Sequence, residues 1–200
     1  PRFAISITLS LVVSLLAWLP AGASSTSVVE KRPFNATLDG RWIGNGISYS
    51  PYRDGESPGN AVVTEDEILQ DLEIIVQRWN LIRLYGSDEY HQKILEVIAK
   101  HDLPVRVMLG IWLDQHKSEA ENQAQIDLAI ELANRFPEIV RAVNVGNEIF
   151  VYWSWHKIDD IDGVIRKIRQ VRASIKQPVT VSDYYNFGNK PESKKIAAEL

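Results

Sequence analysis

From residue 43 onward the chain alternates between two hydrophobic rhythms. The first is a set of short apolar runs: "IGNGISYS" (43–50), "LIRLYG" (81–86), "PVRVMLGIWL" (104–113), "VRAVNVGNE" (140–148) and "PVTVSDYY" (178–185). Runs of this length, rich in Val, Ile and aromatic residues, predict buried strands. The second rhythm has helical spacing. Thr64-Glu65-Asp66-Glu67 reads as a capping box, followed by Ile68, Leu69, Leu72, Ile75, Val76 and Trp79. Ser87 is expected to open a helix carrying Ile94, Leu95, Val97 and Ile98. Ser118 and Glu121 form a second capping box ahead of Ile126, Ala129, Ile130 and Ala133. A further helix is predicted from Asp160, with Ile161, Val164, Ile165, Ile168 and Val171 as its stripe, and Pro191 stands where another begins.

The pattern is five strand-then-helix units, which predicts an α/β fold with a parallel sheet covered by helices. A doubly wound open sheet and a (β/α)8 barrel both fit. No G-x-G-x-x-G follows the first strand, which counts against a dinucleotide fold. Tyr49, Tyr85, Trp112, Glu148 and Asp183 each fall at or just past the end of a different predicted strand. A barrel gathers those ends on one face, where barrel enzymes build their sites. The expected fold is therefore a (β/α)8 TIM barrel, truncated after about five units, over residues 41–200.

The N-terminus breaks the rhythm. "PRFAISITLSLVVSLLAWLPAGASS" holds one Arg, an apolar run from Phe3 to Leu19, and Ala21-Gly22-Ala23. This order predicts a signal peptide over residues 1–23, cut after Ala23, and a secreted or periplasmic protein. An uncleaved membrane anchor is the alternative, since the run approaches the roughly 17–25 residues of a spanning helix. The first residue is Pro, so the natural chain is expected to begin earlier. Residues 24–40 read as a linker, and Asn35-Ala36-Thr37 within them is a glycosylation sequon.

Composition narrows the chemistry. A net charge of -4 gives no basic footprint for nucleic acid. The absence of Cys means no disulfide staple, so stability must rest on the core. His91, His101, His116 and His156 show no ligand spacing, so no metal and no cofactor is expected. No G-x-S-x-G points to a serine hydrolase. That leaves Glu148, ending an apolar run with Asn147 beside it. A carboxyl in a partly dry cleft acts as a general acid, and glycoside hydrolysis needs one to protonate the leaving oxygen. Asn147 would donate to a sugar hydroxyl. Equally, Gly146-Asn147 fits a turn, with Glu148 a solvated acid at a helix start.

"GISYSPY", "LIRLYG", "VMLGIWL" and "AVNVGNE", in that order, resemble successive strands of glycoside hydrolase family 17, the β-1,3-glucanase family. The likeness runs from about Trp42 to Tyr185. It implies a (β/α)8 barrel, a retaining mechanism, and β-1,3-glucan polysaccharide or oligosaccharide as substrate. It places the acid/base on Glu148, its companion amide on Asn147, and a cleft-lining ring on Tyr85. The family's nucleophile, a Glu ending the seventh strand, is expected beyond residue 200, so these 200 residues alone are expected to be inactive. Asp54, Glu56, Asp114 and Asp183 are not assigned that role; Asp183 is the best of them for a direct sugar contact.

Arg83 shares a face with Tyr85 and requires a partner, with a carboxylate of the site the natural choice; it is a substrate-binding candidate, or else half of a structural ion pair with no substrate role. Tyr49 and Trp112 offer flat faces to glucose rings, or pack the rim. In "FVYWSWH" (150–156), Trp153 or Trp155 builds a sugar subsite or covers the barrel. A monomer without membrane attachment after signal cleavage is expected. The rival readings are a β-1,3-glucan transglycosylase, a non-catalytic glucan-binding protein, and a β-1,4-glucanase or mannanase of another barrel clan.

Overall fold

The computed structural model describes residues 29–38 and 40–200. The expected signal peptide and cleavage site lie outside the described residues. A small antiparallel pair comes first, β1 (Thr37–Leu38) with β2 (Arg41–Trp42). Then come β3 (Gly46–Ser48), α1 (Glu65–Ile75), β4 (Leu81–Arg83), α2 (Glu89–Lys100), β5 (Arg106–Ile111), α3 (Glu119–Arg135), β6 (Val140–Asn147), α4 (Ile161–Ser174) and β7 (Val179–Ser182). Two short helices close the described chain, α5 (Tyr185–Gly188) and α6 (Pro191–Ala197).

The sheet runs β3-β4-β5-β6-β7, and all four pairings are parallel. Spatial order equals chain order. A doubly wound sheet reverses its order at a switch point, whereas a barrel adds each strand beside the last. The described residues thus form five consecutive βα units in barrel order.

Strand alternation divides the two faces. Ile82, Val107, Leu109 and Val143 are fully buried under the helices, against Leu72, Ile94, Ile98, Ile126 and Ile168. Each such side chain contributes roughly 1.5–3 kcal/mol. The cross-strand partners Arg83 and Met108 share the opposite face, as do Gly110 and Asn144. This is the inward face of the barrel.

The helix starts follow local chemistry. The capping boxes on Thr64–Glu67 and Ser118–Glu121 form as expected. The third departs from expectation. Asp88, not Ser87, caps α2, accepting from the N–H groups of Tyr90 and His91. Ser87 turns its hydroxyl to the carbonyl of Gln125, 2.6 Å away. The stretch read as a linker is also more than a tether. It contributes β1, and Arg32 donates to the carbonyls of Arg172 (3.0 Å) and Ile175 (2.6 Å) at the end of α4.

Candidate active site at the strand ends

Because the strands are parallel, Tyr49, Tyr85, Trp112, Glu148 and Asp183 all stand at one end of the sheet. Glu148 is exposed there, one residue past β6. Its backbone is unusual. Glu148 has φ 52° and Gly146 has φ 78°, both in the left-handed region. For a residue with a Cβ this costs about 1–2 kcal/mol. The β6–β7 register shifts between Asn144 and Asn147, a bulge-like irregularity that re-aims the strand end. The buried Asn144 supports the turn. Its Nδ2 donates to the Gly146 carbonyl at 2.6 Å, and its Oδ1 accepts from Ser182 Oγ at 2.8 Å.

Asn147 is fixed on both its side chain and its backbone. Arg83 Nη2 donates to Asn147 Oδ1 at 2.6 Å. A guanidinium only donates, so the amide oxygen must face it and Nδ2 is left directed elsewhere as a donor. The Asn147 carbonyl accepts from His156 Nε2 at 2.6 Å. The expectation of a carboxylate partner for Arg83 is corrected accordingly: among the described residues its partner is an amide. The guanidinium also lies 5.2 Å from the Tyr85 ring centre, a cation–π contact, while its buried Nε has no partner among the described residues.

Tyr85 and Trp112 line one groove with Tyr52, Tyr90, Asp88 and His91, with a volume of about 760 Å³. Glu148 is not in its wall; Tyr85 connects to Asn147 through Arg83. Tyr52 packs edge-on against Tyr90 at 6.1 Å, and burial together with Asp88 pushes its phenol up to about 12. Trp112 is half-buried against the ring of His156, 4.4 Å between centres.

Tyr49 departs from expectation, and Asp183 has backbone partners. Tyr49 is 8% exposed and donates its hydroxyl to Asp71 Oδ2 on α1 at 3.0 Å. Burial and that carboxylate push its phenol well above the usual range. Its ring belongs to the core, so it presents no flat face to a ligand. Asp183 accepts from the N–H of Phe150 at 2.8 Å and from that of Tyr184 at 2.9 Å, one on each oxygen. It braces the loop after Glu148 to the end of β7. Burial raises its pKa, the two N–H groups oppose the rise, and the nearby Glu148 charge adds to it.

The aromatic loop splits. Trp153 is exposed and packs edge-on with Tyr152 and Tyr184. Trp155 is exposed and stacks on His116 at 4.4 Å. Tyr52, Gln125 and His156 were not legible as site residues. Gln125 Oε1 accepts from the backbone of Ser87 and of Trp112, tying two strand ends together. Only the position of His156 inside "FVYWSWH" gave any signal. Among the described residues no cluster of three His, Cys, Asp or Glu is placed to hold a metal ion, and no helix is long and apolar enough to cross a membrane.

The model of the BtgE/BtgC glycoside hydrolase domain matches residues 46–199, which include every strand of the sheet and Glu148. The chain belongs to this glycoside hydrolase family. A stretch of 88 residues, 42% of the chain, is 32% identical to 13% of an Aspergillus niger protein named "Putative glucan endo-1,3-beta-glucosidase btgC". Among solved structures, an endo-laminarinase from Formosa Hel1_33_131 superposes with a TM-score of 0.61 at 20% identity, over 77% of this chain and 45% of that one. A glycosyl hydrolase family 2 member from Bacteroides cellulosilyticus gives a TM-score of 0.56 at 18% identity, over 85% of this chain and 22% of that one. The chain spans less than half the length of each of these relatives. At these identities the structural likeness establishes the fold alone, an α/β barrel type.

Proposed function

We propose that this BtgE/BtgC domain is the acid/base half of an exported, retaining glycoside hydrolase of the family 17 type, acting on β-1,3-glucan. Glu148 protonates the glycosidic oxygen as the bond to the leaving sugar breaks. A Glu on a later strand, beyond residue 200, attacks the anomeric carbon from the other side and forms the glycosyl-enzyme. Retention needs the two carboxyl groups about 5–5.5 Å apart. Glu148, then a base, takes a proton from water as the water oxygen attacks the anomeric carbon, which breaks the bond to the nucleophile and releases the sugar. Export rests on the N-terminal apolar segment, and the glucan on the resemblance and the relatives' names.

The observation that carries the reading is the setting of Glu148. It is an exposed carboxylate on a left-handed backbone at the end of β6, next to an amide turned by Arg83 so that its N–H₂ is free to donate. A solvated acid at a helix start would need neither feature. Tyr85 and Trp112 supply rings on the adjoining strand ends, suited to stacking on glucose.

The test uses the protein expressed over its whole reading frame, with laminari- and cello-oligosaccharides and products followed by mass spectrometry. Wild type is expected to act on the β-1,3 series alone, and Glu148→Gln to lose about 10²–10⁴-fold in turnover. Shorter products mark a hydrolase. Longer products would mark a transglycosylase, in which a sugar hydroxyl replaces the water. Wild-type turnover in Glu148→Gln would end the acid/base assignment.

A further inference from the structure

The peptide unit joining Asn147 to Glu148 is held at both ends. Its N–H, from Glu148, donates to the Ser182 carbonyl on β7 at 2.8 Å. Its C=O, from Asn147, accepts from His156 Nε2 at 2.6 Å. In a planar trans peptide these two groups point in opposite directions. Two bonds pulling on opposite edges fix the rotation of the plane, and that rotation sets φ of Glu148. The angle being held, 52°, is one a side-chain-bearing residue leaves when free to do so.

His156 is itself seated. Its ring packs on Trp112 with centres 4.4 Å apart and planes at 40°, and Ser154 Oγ lies 3.2 Å from Nδ1. A carbonyl cannot donate, so Nε2 must carry a hydrogen and act as the donor. One imidazole therefore bonds the backbone immediately before Glu148 and packs against the aromatic ring just past β5. No other described side chain donates to the Asn147 carbonyl.

We infer that His156 is a positioning residue with two separable tasks: its Nε2–H holds Glu148 in its left-handed pose, and its ring seats Trp112 for sugar stacking. The inference rests on the reading of Glu148 as proton donor and adds what keeps that donor aimed. Misplacing a reacting group by about 1 Å costs up to about 10²-fold in rate, so loss of the clamp is a kinetic event even where the fold survives.

Two substitutions separate the tasks. His156→Phe keeps a ring against Trp112 and removes the donor. His156→Gln places an amide Nε2–H the same number of bonds from Cβ and removes the ring. In the protein expressed over its whole reading frame, His156→Phe is expected to lower kcat at least about tenfold with KM within about twofold. His156→Gln is expected to keep kcat within about threefold and to raise KM. Hydrogen exchange at the Glu148 amide should quicken in His156→Phe and stay near wild type in His156→Gln. Wild-type kcat and exchange in His156→Phe would overturn the clamp. So would equal losses of kcat in both variants with matched falls in Tm, which would mark His156 as packing only. Glu148→Gln, assayed alongside, keeps the two readings apart. If it retains turnover, the proton-donor reading fails, and the exchange data alone then judge the clamp. If it is inactive while His156→Phe is wild type, only the clamp fails.

Discussion

Asp183 feels the charge of Glu148 across the ends of β6 and β7. The Asp183 carboxyl is pushed up first by burial; the N–H groups of Phe150 and Tyr184 work against the rise, and the Glu148 charge reinforces it. The sign for stability follows. With its folded pKa above the unfolded value, Asp183 keeps its proton in the folded state over a range where the unfolded chain has released it. The folded state then binds more protons, so stability falls as pH rises through that range and is regained as pH falls back through it. Neutralising Glu148 removes one raising influence and leaves the burial. In Glu148→Gln, Asp183 is therefore expected to titrate at lower pH than in wild type. Its carboxyl carbon shift in an NMR titration reads this directly. An unchanged midpoint would mean that the two carboxylates are not neighbours in solution.

At the scale of the element, the site depends on how closely β4 and β5 approach. A Cβ on Gly110 would lie 2.4 Å from the carbonyl oxygen of Leu84 and 2.4 Å from the carbonyl carbon of Tyr85. Both are backbone atoms, with no rotamer to give way. Gly110→Ala must then force the end of β4 away from β5, and overpacking of this kind costs about 1–3 kcal/mol. Urea unfolding should show the loss, and, on the function proposed above, KM for laminari-oligosaccharides should rise because Tyr85 rides on the displaced strand end.

The strands and helices themselves were legible because their signals are local: apolar runs for β4 to β7, and Thr64–Glu67 and Ser118–Glu121 for two helix starts. Even there Asp88 displaced Ser87 as the cap, since Ser87 had a better acceptor on α3. The partners were not legible. Tyr49 ends a strand as a cleft residue would, yet the acceptor for its hydroxyl is Asp71, on the helix that covers the sheet. The partner of Arg83 lies 64 residues away, across β5. His156 acquires its role only from the path of the loop that returns it to Asn147.

The whole molecule is arranged so that its two ends do different work. In a βα unit the strand's C-terminal end adjoins the following helix's start, and the helix carries the chain back to the opposite face. The candidate site occupies the first face; the end of α4 lies on the second. There the segment before β1 crosses the molecule. Arg32 Nη1 donates to the carbonyls of Arg172 and Ile175, Arg172 returns a bond to the Glu30 carbonyl at 2.5 Å, and Lys31 reaches the Ala197 carbonyl at 3.1 Å. A cation at a helix C-terminus satisfies orphan carbonyls and complements the helix dipole. Arg32→Met keeps the aliphatic stem and removes both bonds, and hydrogen bonds to a charged donor contribute about 1.5–3 kcal/mol. The expected result is a fall in unfolding free energy of about 2 kcal/mol. Because the contact stands on the face opposite Glu148, kcat per folded molecule should match wild type at temperatures below the lowered Tm. A loss of kcat in fully folded Arg32→Met would show instead that the strap transmits its hold through α4 to the loop bearing His156, and that the two faces of the barrel are mechanically joined.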